Sequence, residues 1–130
     1  MDVIHPTIIR FLDAWKVLDE EAYVGVFADR FHTQDPYGQT ETIEGIRKHV
    51  AEIDGNWTDL DYRMTDAVTN GTKTAIAYTI EMTGQSNGWE GQRVVLNCLA
   101  IVEVVDDKIT QWNEQFDTGV MRRARVKKAA

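Results

Sequence analysis

Apolar residues at Ile8, Phe11, Leu12, Trp15 and Leu18 recur at three- and four-residue intervals, the period of a helix with one inward face. Pro6 suits the first turn of that helix, where a missing N–H leaves no hydrogen bond unmade. Asp19 reads as the N-cap of a second helix, with Ala22, Tyr23, Val26 and Phe27 on its inner side. A short strand from Phe31 to Asp35 follows, then a third helix carrying Ile43, Ile46, Val50 and Ile53 that stops at Asp54-Gly55-Asn56. From Trp57 onward the pattern is β-like. Trp57 to Thr69 runs into Asn70-Gly71, a hairpin signal, and Lys73 to Thr83 alternates with Ile76, Tyr78, Ile80 and Met82 on one face. A polar loop from Gly84 to Gly91 contains Trp89. Arg93 to Val105 is a long apolar strand, Asp106-Asp107 turns, and Lys108 to Asp117 is the last strand.

Helices followed by a run of antiparallel strands predict an α+β domain. Three helices over the concave face of a strongly curved antiparallel or mixed sheet would make a cone with an interior pocket. The 130 residues show no repeat, low-complexity segment or linker, so one domain spanning 1–130 is expected. That length suffices to bury roughly two thirds of the unfolded surface.

Charge narrows the partners. The net charge is −7 and the sequence pI about 4.9, against the clustered basic charge that nucleic acid or an anionic membrane requires. The one basic cluster, Arg122, Arg123, Arg125, Lys127 and Lys128, reads as a solvated helix end or a tail. Cys98 is the sole cysteine, which rules out an intramolecular disulfide and multi-cysteine zinc sites. No stretch resembles a signal peptide or a membrane span, so a cytoplasmic location is the expectation.

Candidate chemistry centres on Asp35. Strand alternation puts Phe31, Thr33 and Asp35 on one face, Pro36 removes a backbone donor, and Gly38 lets the chain turn away. A carboxylate continuing an apolar face is either kept for proton chemistry or spent accepting N–H groups of the turn around Tyr37 and Gly38. Burial among aromatics would raise its pKa; local N–H donors would lower it. Glu114 alternates with Trp112 and Phe116 and would be a second interior carboxylate if those rings face the cone. His49, near the inner stripe of Ile46, Val50 and Ile53, is a third acid–base candidate. Phe11, Trp15, Thr33, Tyr78, Leu96, Cys98, Trp112 and Phe116 are expected to line the pocket, with Cys98 a small apolar pocket or core residue rather than a catalytic thiol. Glu81 falls opposite Tyr78, Ile80 and Met82, on the outer sheet face. His5 and His32 read as surface residues, and no His/Asp/Glu spacing suggests a metal.

The element order, with Asp35-Pro36-Tyr37-Gly38 and Lys108-Ile109-Thr110-Gln111-Trp112, resembles the nuclear transport factor 2-like superfamily. Its most similar branches are the ketosteroid isomerases, the SnoaL-like polyketide cyclases and the limonene epoxide hydrolases. The resemblance covers nearly the whole chain and is specific for fold more than for reaction, since one cone hosts many chemistries. It places Asp35 where the isomerases keep their general base. Their oxyanion donors, a Tyr and a protonated Asp, correspond here to Phe11 and Ala100. Against the epoxide hydrolases, Glu114 matches one catalytic carboxylate, but Asp35 and Thr33 occupy the Asn and Tyr positions. The Arg-x-Asp strand motif is absent from Thr79 to Thr83.

The expected function is therefore cofactor-independent acid–base chemistry on a small hydrophobic metabolite: isomerisation, cyclisation, dehydration or ring opening. The alternative is a non-catalytic binding or dimerisation domain of the same fold. Exposed apolar and Thr residues on the outer sheet face predict a homodimer.

Overall fold

The structure is a computed structural model describing residues 1–126. Helix α1 (Pro6–Val17) starts with Pro6 in its first turn, and the His5 ring accepts the Thr7 N–H at 3.1 Å. Leu18, in the left-handed region at φ 53°, closes it by donating its N–H to Ala14 and Trp15 carbonyls. Asp19 then caps α2 (Glu20–Gly25), accepting the Ala22 N–H at 3.1 Å. The second helix stops at Gly25, so Phe27 opens β1 (Phe27–Asp35) instead of belonging to the helix. A short strand absent from the sequence reading, β2 (Gly38–Thr40), returns antiparallel to the end of β1. Thr42 caps α3 (Ile43–Asn56) by accepting the Gly45 N–H at 3.0 Å. A Cβ at Gly45 would collide with the Thr40 hydroxyl, so the β2–α3 junction requires glycine there.

Four longer strands complete the sheet: β3 (Trp57–Asn70), β4 (Lys73–Gly84), β5 (Arg93–Val105) and β6 (Lys108–Gln115). The hairpin between β3 and β4 pairs Asn70 with Lys73, so its central residues are Gly71-Thr72, one position later than the Asn70-Gly71 signal suggests. Gly71 takes φ 64° at the first central position, where such a two-residue turn prefers glycine. The strand order is β2-β1-β6-β5-β4-β3, with β1 and β6 parallel and the other neighbours antiparallel. The sheet is open, with β2 and β3 at its edges. Register shifts between Thr58 and Asp61 and between Met64 and Asp66 mark irregularities in β3, of the kind that bend a strand.

Alternation along β4 and β5 separates the two faces. Ile76, Tyr78, Ile80, Met82, Val94, Leu96, Cys98, Ala100 and Val102 are buried beneath the helices, whereas Val95, Leu99 and Ile101 are exposed. Glu81 lies on the outer face, as expected, within 3.6 Å of the Arg93 guanidinium. His5 and His32 sit at the surface beside Asp107 and Glu41, at 3.2 and 3.1 Å.

The expectation of three helices is corrected by a fourth. β6 ends at Gln115, and α4 (Thr118–Val126) turns back across the sheet after Asp117 accepts the Gly119 N–H at 2.8 Å. Arg122, Arg123 and Arg125 belong to this helix, so the basic cluster is helical where it is described; Lys127 and Lys128 lie outside the described residues. Met121 is the anchor of α4, 9% exposed.

Candidate functional site

Between the helices and the concave face lies a cavity of about 940 Å³. Asp35, Glu114 and His49 all line it, together with Phe11, Trp15, Thr33, Tyr78, Leu96, Trp112 and Phe116. Cys98 does not: it is buried in the wall with its thiol turned to the Leu96 carbonyl at 3.9 Å, and burial pushes that thiol up to about 12. Of the two places open to Cys98, pocket wall or core, the structure gives it the core, so it is not among the residues that touch the cavity. Its side chain shares the inner face of β5 with Leu96 and Ala100, yet packing covers it from the cavity.

The aromatic wall is built by local stacking. Phe11 of α1 lies on Trp112 of β6 with ring centroids 4.0 Å apart and planes at 30°, and Tyr78 meets Trp112 edge-on at 6.4 Å. Tyr23 and Phe27 pack around Phe11 at 4.6 and 5.9 Å. Each such pair contributes about 0.5–1.5 kcal/mol beyond area burial, which fixes the ring orientations that shape the cavity.

Glu114 sits at the end of β6 on this inner face, with the Trp112 indole N–H donating to Oε1 at 3.4 Å. It keeps some accessible surface as a wall residue, but protein encloses it closely. Desolvation, with a smaller contribution from the Asp35 charge, pushes its carboxyl up to about 8. Glu114 is therefore largely protonated at neutral pH and can donate a proton or a hydrogen bond.

Asp35 stands at the end of β1 and accepts the Tyr37 N–H at 2.7 Å and the Gly38 N–H at 3.1 Å, both at Oδ1. The turn role foreseen for Asp35 is thus real, and it coexists with a place on the cavity wall. His49, half-buried on α3, faces the cavity beside Ile46 and Ile53.

Two further hydroxyls belong to the site. Tyr23, from α2, is fully enclosed, and burial together with the Glu114 and Asp35 charges raises its phenol above the ordinary range. Sequence spacing marked Tyr23 as an inner helix residue without showing that it lines the same cavity as the two carboxyls. The Tyr78 hydroxyl is buried without a hydrogen-bond partner. A buried donor left unpaired costs about 1–3 kcal/mol; the Tyr78 ring lines the cavity while its hydroxyl is covered, so a ligand atom meets that hydroxyl only after a side-chain shift.

The mouth is made by parts the sequence reading left unassigned. The Trp89 indole N–H donates to the Met121 carbonyl at 2.8 Å, its ring packs on Trp57 at 4.9 Å, and the Arg125 guanidinium carbon sits 4.6 Å from its ring centroid. The Tyr37 hydroxyl approaches the Met121 sulfur at 3.5 Å. These contacts seat α4 against the loop after β4 at the cavity rim, where Arg122 and Arg125 join Lys48. Among the described residues, no group of three or more His, Cys, Asp or Glu side chains is placed to hold a metal ion, and no helix is long and apolar enough to cross a membrane.

The family model for the SnoaL-like domain matches residues 8–112. The chain belongs to the SnoaL-like family. No curated protein sequence matches it. Solved structures share the nuclear transport factor 2-like fold of this SnoaL-like chain at low identity. An M. tuberculosis LEH-like epoxide hydrolase is 15% identical with a TM-score of 0.76, covering 96% of this chain and 90% of its own. A hypothetical protein from Catenulispora acidiphila with a ketosteroid isomerase-like fold, solved with trimethylamine, is 13% identical with a TM-score of 0.83, covering 95% of each chain. TsrD from Streptomyces laurentii is 18% identical with a TM-score of 0.77, covering 95% of this chain and 98% of its own. At these identities the likeness carries the fold and leaves the reaction to the site itself.

Proposed function

We propose that this SnoaL-like protein is a cofactor-independent enzyme performing general acid–base chemistry on a small hydrophobic metabolite held in the cavity. The observation that carries the reading is the pairing of Asp35 with Glu114 on one cavity wall, the second carboxyl pushed up to about 8. A carboxyl kept protonated by burial can serve as acid beside a second carboxyl on the same wall.

In this reading Asp35 takes a proton from a carbon beside a carbonyl, and the growing charge on the carbonyl oxygen is met by Glu114 and the Tyr78 hydroxyl. The proton is then returned at another carbon in an isomerisation. In a dehydration or ring opening it goes to the departing oxygen, and in a cyclisation to the oxygen of the carbonyl that the carbanion attacks, whose π bond breaks as the new bond forms. Such donors commonly contribute several kcal/mol to the transition state, on the order of 3 per group. His49 is an additional proton carrier at the α3 wall. Phe11, Trp15, Thr33, Leu96, Trp112 and Phe116 supply the mainly apolar enclosure.

A screen of enones, lactones and epoxides against the purified protein tests the reading. Turnover of one class that falls by about 10²–10⁴ in Asp35→Asn and is lowered, with its alkaline limb lost, in Glu114→Gln is the expected result. Turnover unaffected by either change overturns it. A second reading, a binding domain without catalysis, draws support from the two backbone N–H groups that already occupy Asp35 Oδ1. Tight ligand binding with no turnover in the same screen would favour it.

The outer face supports a further part of the proposal, a homodimer. Val68, Leu99 and Ile101 are 61%, 64% and 50% exposed on the outer face of the sheet, and the buried Asn113 Oδ1 beside them lacks a partner. A second copy of the chain would cover the apolar rows. A cytoplasmic site of action completes the proposal.

A further inference from the structure

The chain carries a net charge of −7, yet the cavity mouth is lined by Lys48, Arg122 and Arg125. Many other basic side chains are committed to carboxylates: Arg47 to Glu20 and Glu21, Lys16 to Asp61, Arg93 to Asp59 and Glu81, and Arg123 to Asp117. Among the described residues, Lys48 and Arg122 have no such ion pair. Arg125 is held at the rim by Trp89, with its stem against Gly88. Arg122 acts electrostatically on the Tyr37 phenol, opposing the effect of Asp35 there, which places it at the Tyr37 side of the opening.

The carboxyls facing the same space are Asp35, Glu52 and, deeper, Glu114. Glu114 is largely neutral at pH 7, and Asp35 is turned to its own backbone donors. Against Lys48, Arg122 and Arg125 stand Asp35 and Glu52, so the mouth carries a small net positive charge above a mainly apolar chamber, the reverse of the chain's overall charge.

We propose that the ligand carries one anionic group, a carboxylate or its equivalent, held at the mouth by Lys48 and Arg122 while its apolar body fills the cavity. Charge left at a solvated rim escapes the desolvation it would meet inside, and the rim cations attract and orient it on entry. That orientation turns the uncharged end of the ligand toward Glu114 and Tyr78. The inference rests on the cavity being a small-molecule site, as proposed above, and not on which reaction occurs there.

Two fluorescent probes with nearly the same aromatic body test it: anilinonaphthalene sulfonate, which is anionic, and neutral phenylnaphthylamine. The anionic probe is expected to bind about tenfold more tightly, and the Lys48→Ala/Arg122→Ala double variant to remove about that factor while changing the neutral probe less than about twofold. Raising NaCl to about 0.5 M should weaken only the anionic probe. Equal binding of the two probes, or a preference that survives the double variant, overturns the inference and leaves the catalytic reading standing. Failure of both probes to bind overturns the cavity as an apolar site and the inference with it. Glu114→Gln, which tests the chemistry, is expected to keep the probe preference, so loss of catalysis and loss of anion selection are separable.

Discussion

Ala100 on β5 and Glu114 on β6 are direct partners in the antiparallel register. Ala100 is buried on the concave face, and a methyl group there can donate nothing. Directly across the ladder, Glu114 projects from the same concave face with its carboxyl pushed up to about 8. Opposed residues in a ladder have Cβ atoms about 4.5–5.5 Å apart. The only ionisable side chain of this cross-strand pair is thus the acid on β6, which lines the same cavity as Tyr23 and Tyr78.

The elevated Glu114 makes stability pH-dependent in a defined direction. Its carboxyl binds a proton up to about pH 8 when folded, against an ordinary value of 4.5 when unfolded. The contribution is therefore fully present below about pH 4.5 and is lost as pH rises towards 8, by about 1.4 kcal/mol per pH unit within that window. Urea melts from pH 5 to pH 8 should show wild type falling relative to Glu114→Gln, with the two alike at pH 5. In activity, the Gln variant should lose the alkaline limb of the pH profile near 8. Parallel stability curves would remove Glu114 from the role of acid.

Asp35→Asn separates the turn from the chemistry. An asparagine Oδ1 still accepts the Tyr37 and Gly38 N–H groups, so the β1–β2 turn keeps both bonds. The urea midpoint should move little, while turnover falls by about 10²–10⁴ if Asp35 is the base. Unchanged turnover would leave Asp35 as a turn residue alone.

Much of this arrangement was readable from the sequence because local rules governed it. Asp19 capped a helix, and the alternation through Tyr78, Ile80 and Met82 put those side chains on the inner face. The parity of Trp112, Glu114 and Phe116 held to the end of β6. The rest depended on packing between distant segments. Cys98 has the correct parity for the wall yet is covered by its neighbours. Tyr23 joins the carboxyls on the cavity wall only because α2 packs beside α1. α4 was legible only as a basic helix end or a tail, because its anchor, Met121, is held by Trp89 and Tyr37, far away in sequence.

The outer face gives a prediction independent of catalysis. Light scattering at micromolar concentration should give twice the 14.8 kDa of one chain. Leu99→Lys with Ile101→Lys places two charges among exposed side chains on the proposed contact and should give single chains with an intact fold. Wild type at the mass of one chain would refute the dimer.

Tyr78→Phe distinguishes a site from a core. The Tyr78 hydroxyl is buried, unpartnered, and carried by a ring already fixed against Trp112. Removing an oxygen that bonds to nothing leaves the stacking intact and relieves a desolvation cost, so folding stability should stay level or rise by about 1 kcal/mol. If a ligand oxygen is the missing partner, the same change should weaken binding or lower turnover by about tenfold, the value of one neutral hydrogen bond in an enclosed site. Stability and function then move in opposite directions, which a purely structural tyrosine does not produce. Denaturant melts and a binding or turnover assay on the one variant read both quantities. A Tyr78→Phe variant that is equally active, or one that is destabilised along with its activity, would assign Tyr78 to the core.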